Sequence, residues 1–318
     1  MIDAVDGLRV TRSGPLALLQ DAGRCGVRRL GVTQGGPADL HGWAWANHLV
    51  GNAWGTPALE VTFGGLELVA ERALVVAVAG GDLAATLDGE PLTGWRSLSL
   101  QAGQRLAFAT PVNGLRAYLA VAGGFAAPPV LGSVACVVRE GLGGHDGQGH
   151  RLAEGDHLRV TPRCADTGRE AVREPPREAP AEARVDYRQP AVLPLLPGAQ
   201  VGEFSGESLY RAFNMPWRVD DRADRMGVRL AGPPLHCRVT SMISEGIGLG
   251  AVQVPPDGQP IALLNDRQTI GGYPRLGALT PLACSRLAQC LPGQEVRLKA
   301  VPTERALADY RRFRSTFA

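Results

Sequence analysis

Residues 265–269 read Asn-Asp-Arg-Gln-Thr and directly follow the apolar run Ile261, Ala262, Leu263 and Leu264. One carboxylate, one guanidinium and three amide or hydroxyl groups in five residues suit the orientation of a small polar substrate, and Gly271 and Gly272 allow close backbone approach. The same side chains also suit a solvated loop. Tyr273 precedes Pro274, so its backbone is extended and its phenol is aimed away from the local turn. Upstream, Pro255, Pro256, Asp257 and Gly258 spell a turn: proline presets φ, aspartate bonds nearby backbone and glycine permits positive φ.

Three further stretches carry groups of interest. In "DDRADRMGVRLAGPPL", Arg225 and Arg229 stand near Asp221 and Asp224. A planar guanidinium is the best single group for a substrate carboxylate, and structural salt bridges are its other use. Glu245 is an isolated acid in the apolar, glycine-rich "SMISEGIGLG". Buried there, it would have a raised pKa and serve as a general acid or base; at an exposed edge it would not. Gln34, Gly35 and Gly36 lead into a helix start, where free N–H groups suit a carboxylate, a phosphate or simple capping.

Other chemistries are disfavoured. "GHDGQGH" brings His145, Asp146 and His150 together without a matched third histidine, so no metal site is assigned. No G-x-S-x-G elbow is present. Lys299, the only lysine, sits in the strand-like "VRLKAV", which argues against covalent biotin or lipoate and rules out a G-x-x-x-x-G-K-[ST] phosphate loop. Six cysteines are scattered without a C-x-x-C pair, as expected of free thiols in a reducing compartment.

The elements that must position these groups are mostly strands. The 318 residues fit about two domains, and 41 glycines with 24 prolines favour short strands joined by turns. A net charge of +2 gives no reason to expect nucleic acid or a membrane surface as partner. The N-terminus "MIDAVDGLRV" has acids where a secretory signal needs basic residues, and no run is long enough to span a bilayer; a cytoplasmic protein is expected.

Short segments recur in order: "RCGVR" with "RMGVR", "EVTFGGLELV" with "EGIGLGAVQV", "DGEPL" with "DGQPI", "GGFAAPPVLG" with "GGYPRLG", and "LAEGDHLRV" with "LPGQEVRL". They predict a mainly β chain built by internal duplication. The first β-barrel domain would cover 1–161, with an inserted helix at about 38–50 started by Pro37 and Asp39 and stopped by Gly51. A Pro/Glu/Arg-rich linker or exposed excursion would follow at 162–190, then a more compact barrel at 191–302. The tail, 303–318, has Leu307, Tyr310 and Phe313 at helical spacing for docking on a barrel, its basic face in water.

At "LLQDAGRCGVRRLGVTQGGPADLHGWAWANHLVGN", "LEVTFGGLEL", "LAVAGGFAAPPVLGS", "DRMGVRLAGPPL" and "SEGIGLGAVQVPPDGQPIALLNDRQTIGGYPRLGAL" the chain resembles the biotin-dependent carboxyltransferase-like family. That family includes the C component of 5-oxoprolinase, the allophanate hydrolase subunit 2 proteins and an antagonist of a kinase inhibitor. The resemblance covers about residues 10–300 and implies two cyclophilin-like β-barrels. It also implies partners, the A and B components of a hetero-oligomeric complex that uses ATP, handled mainly by those partners, to hydrolyse 5-oxoproline.

Matched residue by residue, the resemblance implies site roles for Asp39, Arg225, Glu245, Gln253, Asp257, Asp266, Arg267, Gln268 and Tyr273. Arg225 or Arg267 would hold the substrate carboxylate, and Glu245 or Asp266, with Arg267, would carry the chemistry. Gln253, Gln268 and Tyr273 would orient the lactam, with Asp39 and Asp257 also lining the site. "GGPAD" and "GLG" depart from the family's usual Ser-Gly-Ala-Met-Asp and Val-Pro-Gly near this pocket. Two other roles fit the same resemblance: a carboxyltransferase component acting on urea or a related amide, and a regulator that binds an inhibitor protein.

Overall fold

The structure is a computed structural model that describes residues 4–161, 176–239 and 241–318. In chain order the first half forms β1 (Val5–Ser13), β2 (Leu16–Gln20), helix α1 (Leu40–Leu49), β3 (Ala58–Thr62), β4 (Leu66–Ala70) and β5 (Leu74–Asp82). It continues with β6 (Thr86–Leu87), β7 (Glu90–Pro91), β8 (Arg96–Leu100), β9 (Arg105–Ala107), β10 (Asn113–Val121) and β11 (His157–Val160). The second half contains β12 (Ala191–Pro197), α2 (Gly206–Asn214), β13 (Trp217–Val219), β14 (Gly227–Ala231), β15 (Glu245–Gly246) and β16 (Ala251–Gln253). It ends with β17 (Ile261–Leu263), β18 (Ile270–Gly271), β19 (Arg275–Leu279), α3 (Pro281–Ala288), β20 (Glu295–Ala300) and α4 (Thr303–Ser315).

The protein is mainly β, and its two halves close differently. The first half has a six-stranded sheet, β11-β1-β4-β9-β6-β7, packed on a five-stranded sheet, β2-β3-β10-β5-β8. Alternation explains the packing: Leu66, Leu68 and Ala70 of β4 meet Leu59 and Val61 of β3 and Leu119 of β10 in one core. The opposite faces of β3, β10 and β5 are covered as well, because Ala58, Tyr118, Ala77 and Ala79 pack against α1. A sheet buried on both faces needs near-continuous apolar strands, as in β10. At the β3–β4 turn, Gly64 has φ +75° and a Cβ there would collide with the Ala109 carbonyl oxygen, so only glycine fits.

The second half is a closed barrel, β12-β19-β16-β17-β14-β13-β20, shut by parallel pairing of β12 with β20. Inward residues such as Leu193, Trp217, Leu230, Val252, Leu276 and Leu298 fill it. A two-stranded ribbon, β15 with β18, stands apart from the barrel ladder.

Helix α1 starts at Leu40, two residues after the expected start at about 38, with Asp39 as its cap. The Asp39 carboxylate accepts from the His41 and Gly42 N–H groups at 2.9 and 3.0 Å, a cap that contributes about 1 kcal/mol. Residues 162–175 of the expected linker lie outside the described residues. The rest, 176–190, is no free excursion: Glu178 bridges to Arg96, Ala179 and Ala183 are buried, and the Tyr187 hydroxyl reaches Asp39 at 3.2 Å. Small alanines and one aromatic dock there, a detail hidden by the segment's polar average. The tail helix α4 packs on both halves, lying against β12 and stacking Phe313 on His41 and Trp54, with Phe317 beyond it on Trp45.

Candidate functional site

The polar run after β17 turns towards the protein's own first half. The Asn265 amide donates to the Gly35 and Pro37 carbonyls at 3.2 and 3.0 Å. The Asp266 carboxylate receives Arg225 in a two-pronged bond, Nε and Nη2 each at 2.9 Å. Arg225 also donates to Glu60 at 2.5 Å and to the Gly36 carbonyl at 2.7 Å. Glu60, wholly buried in the middle of β3, further accepts from the Tyr118 hydroxyl at 2.7 Å and the Ala38 N–H at 2.8 Å, and faces Arg116 at 3.7 Å.

This network continues through Asp39, whose second oxygen accepts from Gln289 Nε2 at 2.7 Å. Gln289 in turn accepts from the Leu115 and Arg116 N–H groups at 2.8 Å, stitching the end of α3 to β10. Burial works against the Glu60 charge, but Arg225 and Arg116, with the Tyr118 and Ala38 hydrogen bonds, outweigh it and hold the carboxyl below its ordinary value. Burial pushes Asp266 up against the pull of Arg225. For Arg225 itself, burial opposes the charge, and Asp266 and Glu60 reverse the balance and raise its pKa. The arrangement is an ionic lock between the two halves, with its charges answered from within.

Next to the lock lies a cationic seam. Arg267 is 3% exposed, yet its guanidinium meets only neutral acceptors: Ile247 O at 3.4 Å, Leu264 O at 3.1 Å and Gln34 Oε1 at 3.4 Å. Arg28, from the loop before α1, donates to the same Ile247 carbonyl and to Thr269 O at 3.2 Å. Among the described residues neither guanidinium forms an ion pair. Burial first, and the neighbouring Arg28 second, lower the Arg267 pKa to about 10, so Arg267 remains a cation at neutral pH.

A polar donor waits beside this pair. Gln253 is 3% exposed and its Nε2 has no hydrogen-bond partner. A Cβ on Gly271 would come within 2.7 Å of that nitrogen and would collide with Ile247 Cδ1, so a glycine is what fits against these two side chains. Two unanswered cations and an unpaired amide donor are suited to an anion that also carries a carbonyl. The thiols contribute nothing nucleophilic here, since burial pushes Cys284 up to about 12.

The expected site residues therefore divide. Arg267 and Gln253 are both buried and both lie near Ile247, with Gln268 half-buried and Tyr273 exposed along the segment that follows Arg267. Asp39, Arg225 and Asp266 belong to the lock. Glu245 is exposed, paired with Arg275 at 2.7 Å on the ribbon strand facing Gly271. Asp257 caps its own turn by accepting from Gln259 N–H at 3.0 Å and pairs with Arg229 at 3.1 Å. Sequence reasoning missed Glu60, Arg28, Tyr118 and Gln289. Only Glu60 carried a signal, an acid at the centre of an otherwise apolar strand. Elsewhere, Asp6, Glu71 and His157 bring three ligand atoms within 4.8 Å at the sheet edge, where His157 already bonds Glu71.

Comparison with known proteins places this geometry in a family. Residues 30–300 match the model of the carboxyltransferase domain, subdomain A and B. The chain is 38% identical to the C component of 5-oxoprolinase from Escherichia coli (strain K12), over 94% of this chain and 93% of that one. The crystal structure of TTHA0988 is 37% identical with a TM-score of 0.79, covering 93% of this chain and 56% of that longer one. The Kluyveromyces lactis urea carboxylase structure matches all of this chain with a TM-score of 0.90, across 29% of its own length, and at 24% identity it speaks to fold alone. This chain belongs to the family of the carboxyltransferase domain, subdomain A and B.

Proposed function

We propose that the chain is the C component of a prokaryotic-type 5-oxoprolinase, acting in the cytoplasm with its A and B partners to hydrolyse 5-oxoproline to glutamate at the expense of ATP. The observation that carries this reading is the 38% identity to the Escherichia coli protein across nearly the whole of both chains. The seam is consistent with it, because 5-oxoproline is a carboxylate joined to a lactam. Arg28 and Arg267 would seat the carboxylate, and Gln253 Nε2 would donate to the lactam oxygen, with Gln268 and Tyr273 at the rim.

Hydrolysis adds water oxygen to the lactam carbon and breaks the ring C–N bond, the nitrogen leaving with a proton. An unactivated amide resists this step, and ATP would activate its oxygen. The chain has no phosphate loop, so that task falls to the partners. Neither candidate carboxylate stands free to move protons, since Asp266 is engaged by Arg225 and the exposed Glu245 by Arg275, so that role too would fall to the partners. Leu30, Ile243, Ile270 and Tyr273 are exposed and flank the seam residues in sequence, the kind of apolar surface a partner protein covers.

A second reading, a carboxyltransferase component acting on urea or a related amide, has the family model itself in its favour. Co-expression with the proteins encoded beside the gene, followed by assay of the purified complex, separates the two. Glutamate release from 5-oxoproline that requires ATP supports the amidohydrolase. Failure to release glutamate, with carboxyl transfer from carboxybiotin to urea, rejects it for the second reading.

A further inference from the structure

The first half holds a cavity that shares no residue with the lock or the seam. It lies where β7, at the edge of one sheet, and β8, at the edge of the other, follow each other in the chain without pairing. Its volume is about 470 Å³, within the range of small-ligand sites. We propose that this opening between the two sheets is a second binding site, for a small apolar or aromatic molecule bearing an N–H or ammonium donor.

The lining specifies that chemistry. Val78, Leu83, Ala85, Leu92, Phe108 and Ala117 form an apolar floor continuous with the first core. Asn113 is also part of the lining: its side chain hydrogen-bonds the rim carboxylate of Asp186, and its Oδ1, just beneath the surface, has no hydrogen-bond partner among the described residues. A buried acceptor left unmade is costly, and a ligand N–H would satisfy it. At the rim, Asp82 and Asp186 are exposed carboxylates whose charges are met, among the described residues, only by neutral donors, the Ala84 N–H for Asp82 and the Arg188 N–H, Gln189 amide and Asn113 side chain for Asp186, whereas the cation of Arg184 is paired with Glu178. The mouth thus favours a cation or neutral donor over an anion.

The backbone supports the same place. Trp95, on the wall, has φ +61°, and Ala84, between two lining residues, has φ +46°. Neither is a glycine, and strained conformations of this kind gather where a ligand is gripped. The Trp95 backbone N–H donates to Val78 O at 2.6 Å, which fixes the chain at this wall of the cavity.

Calorimetric titration of the full chain tests the proposal with tryptamine as probe and indole-3-propionate as its anionic counterpart. Tryptamine is expected to bind one to one, at least tenfold tighter than indole-3-propionate. Thr93→Trp, at an exposed rim position, should abolish binding by filling the mouth, and Asn113→Ala should weaken it about tenfold, each with an unchanged thermal midpoint. Arg267→Ala should bind as the parent does, which separates this site from the seam. No heat of binding up to millimolar tryptamine, equal affinity for both probes, or binding untouched by Thr93→Trp would overturn it.

Discussion

Arg225 and Arg267 show how two buried guanidiniums in one protein can have opposite uses. Arg225 is answered by Asp266 and Glu60, so its charge is spent on holding the halves together. Arg267 finds only carbonyl and amide oxygens, and its charge is left for something from outside. Breaking the lock from one side leaves an uncompensated buried cation, so Glu60→Ala should cost about 3–5 kcal/mol in urea unfolding. The pH dependence follows from the sign of the shift. Since the folded Glu60 value is depressed, its contribution is full above the unfolded value of about 4.3 and is lost as pH falls through the folded value. A Glu60→Gln variant should therefore lose less stability than the parent between neutral pH and that acid window.

At the scale of elements, the six residues between β17 and β18 do two jobs. Asn265 bonds the first half directly, Asp266 reaches it through Arg225, and Arg267 lies in the seam with Arg28. Gly271→Ala should lower the activity of the complex while the thermal midpoint changes little, because Ile247 and Gln253 can shift into the unpaired space. A fall in midpoint equal to that of Glu60→Ala would instead make Gly271 a packing residue. The tail helix is the other element with a testable role. Its Phe317 packs edge-on against Trp45 and His48, and Arg314 lies 3.5 Å above the Trp54 ring. Partly buried as it is, Phe317→Ala should cost about 2 kcal/mol, less than a fully buried phenylalanine. Burial lowers the His41 and His48 values, so the unfolded chain takes up protons first and tail docking weakens as pH falls below about 6.5. Hydrogen exchange in 303–315 at pH 5.5 and 7.5 checks this, with lower protection factors, taken relative to the intrinsic rate at each pH, expected at the lower pH.

For the whole molecule, local signals were legible and distant ones were not. Asp39 was readable as a helix start because the cap is made within three residues, and Asp257 as a turn because its acceptor role is equally local. Alternation in β4 and β20 disclosed inward faces for the same reason. Glu60 gave its position away but not its purpose, because its partner Arg225 is 165 residues distant. The five polar residues after β17 looked suited to substrate or water, and three of them, Asn265, Arg267 and Thr269, bond the other half of the protein. No local pattern distinguishes a side chain that faces solvent from one that faces another domain.

The central claim is that the unanswered pair Arg28 and Arg267 seats the substrate carboxylate, and steady-state kinetics of the reconstituted complex test it most directly. Arg267→Ala should reduce kcat/KM for 5-oxoproline by at least about 100-fold, some 2.7 kcal/mol, chiefly through a higher KM, with the complex intact by size-exclusion chromatography. Arg28→Ala should act in the same direction. An unchanged KM in both variants, in complexes that still assemble, would contradict the account.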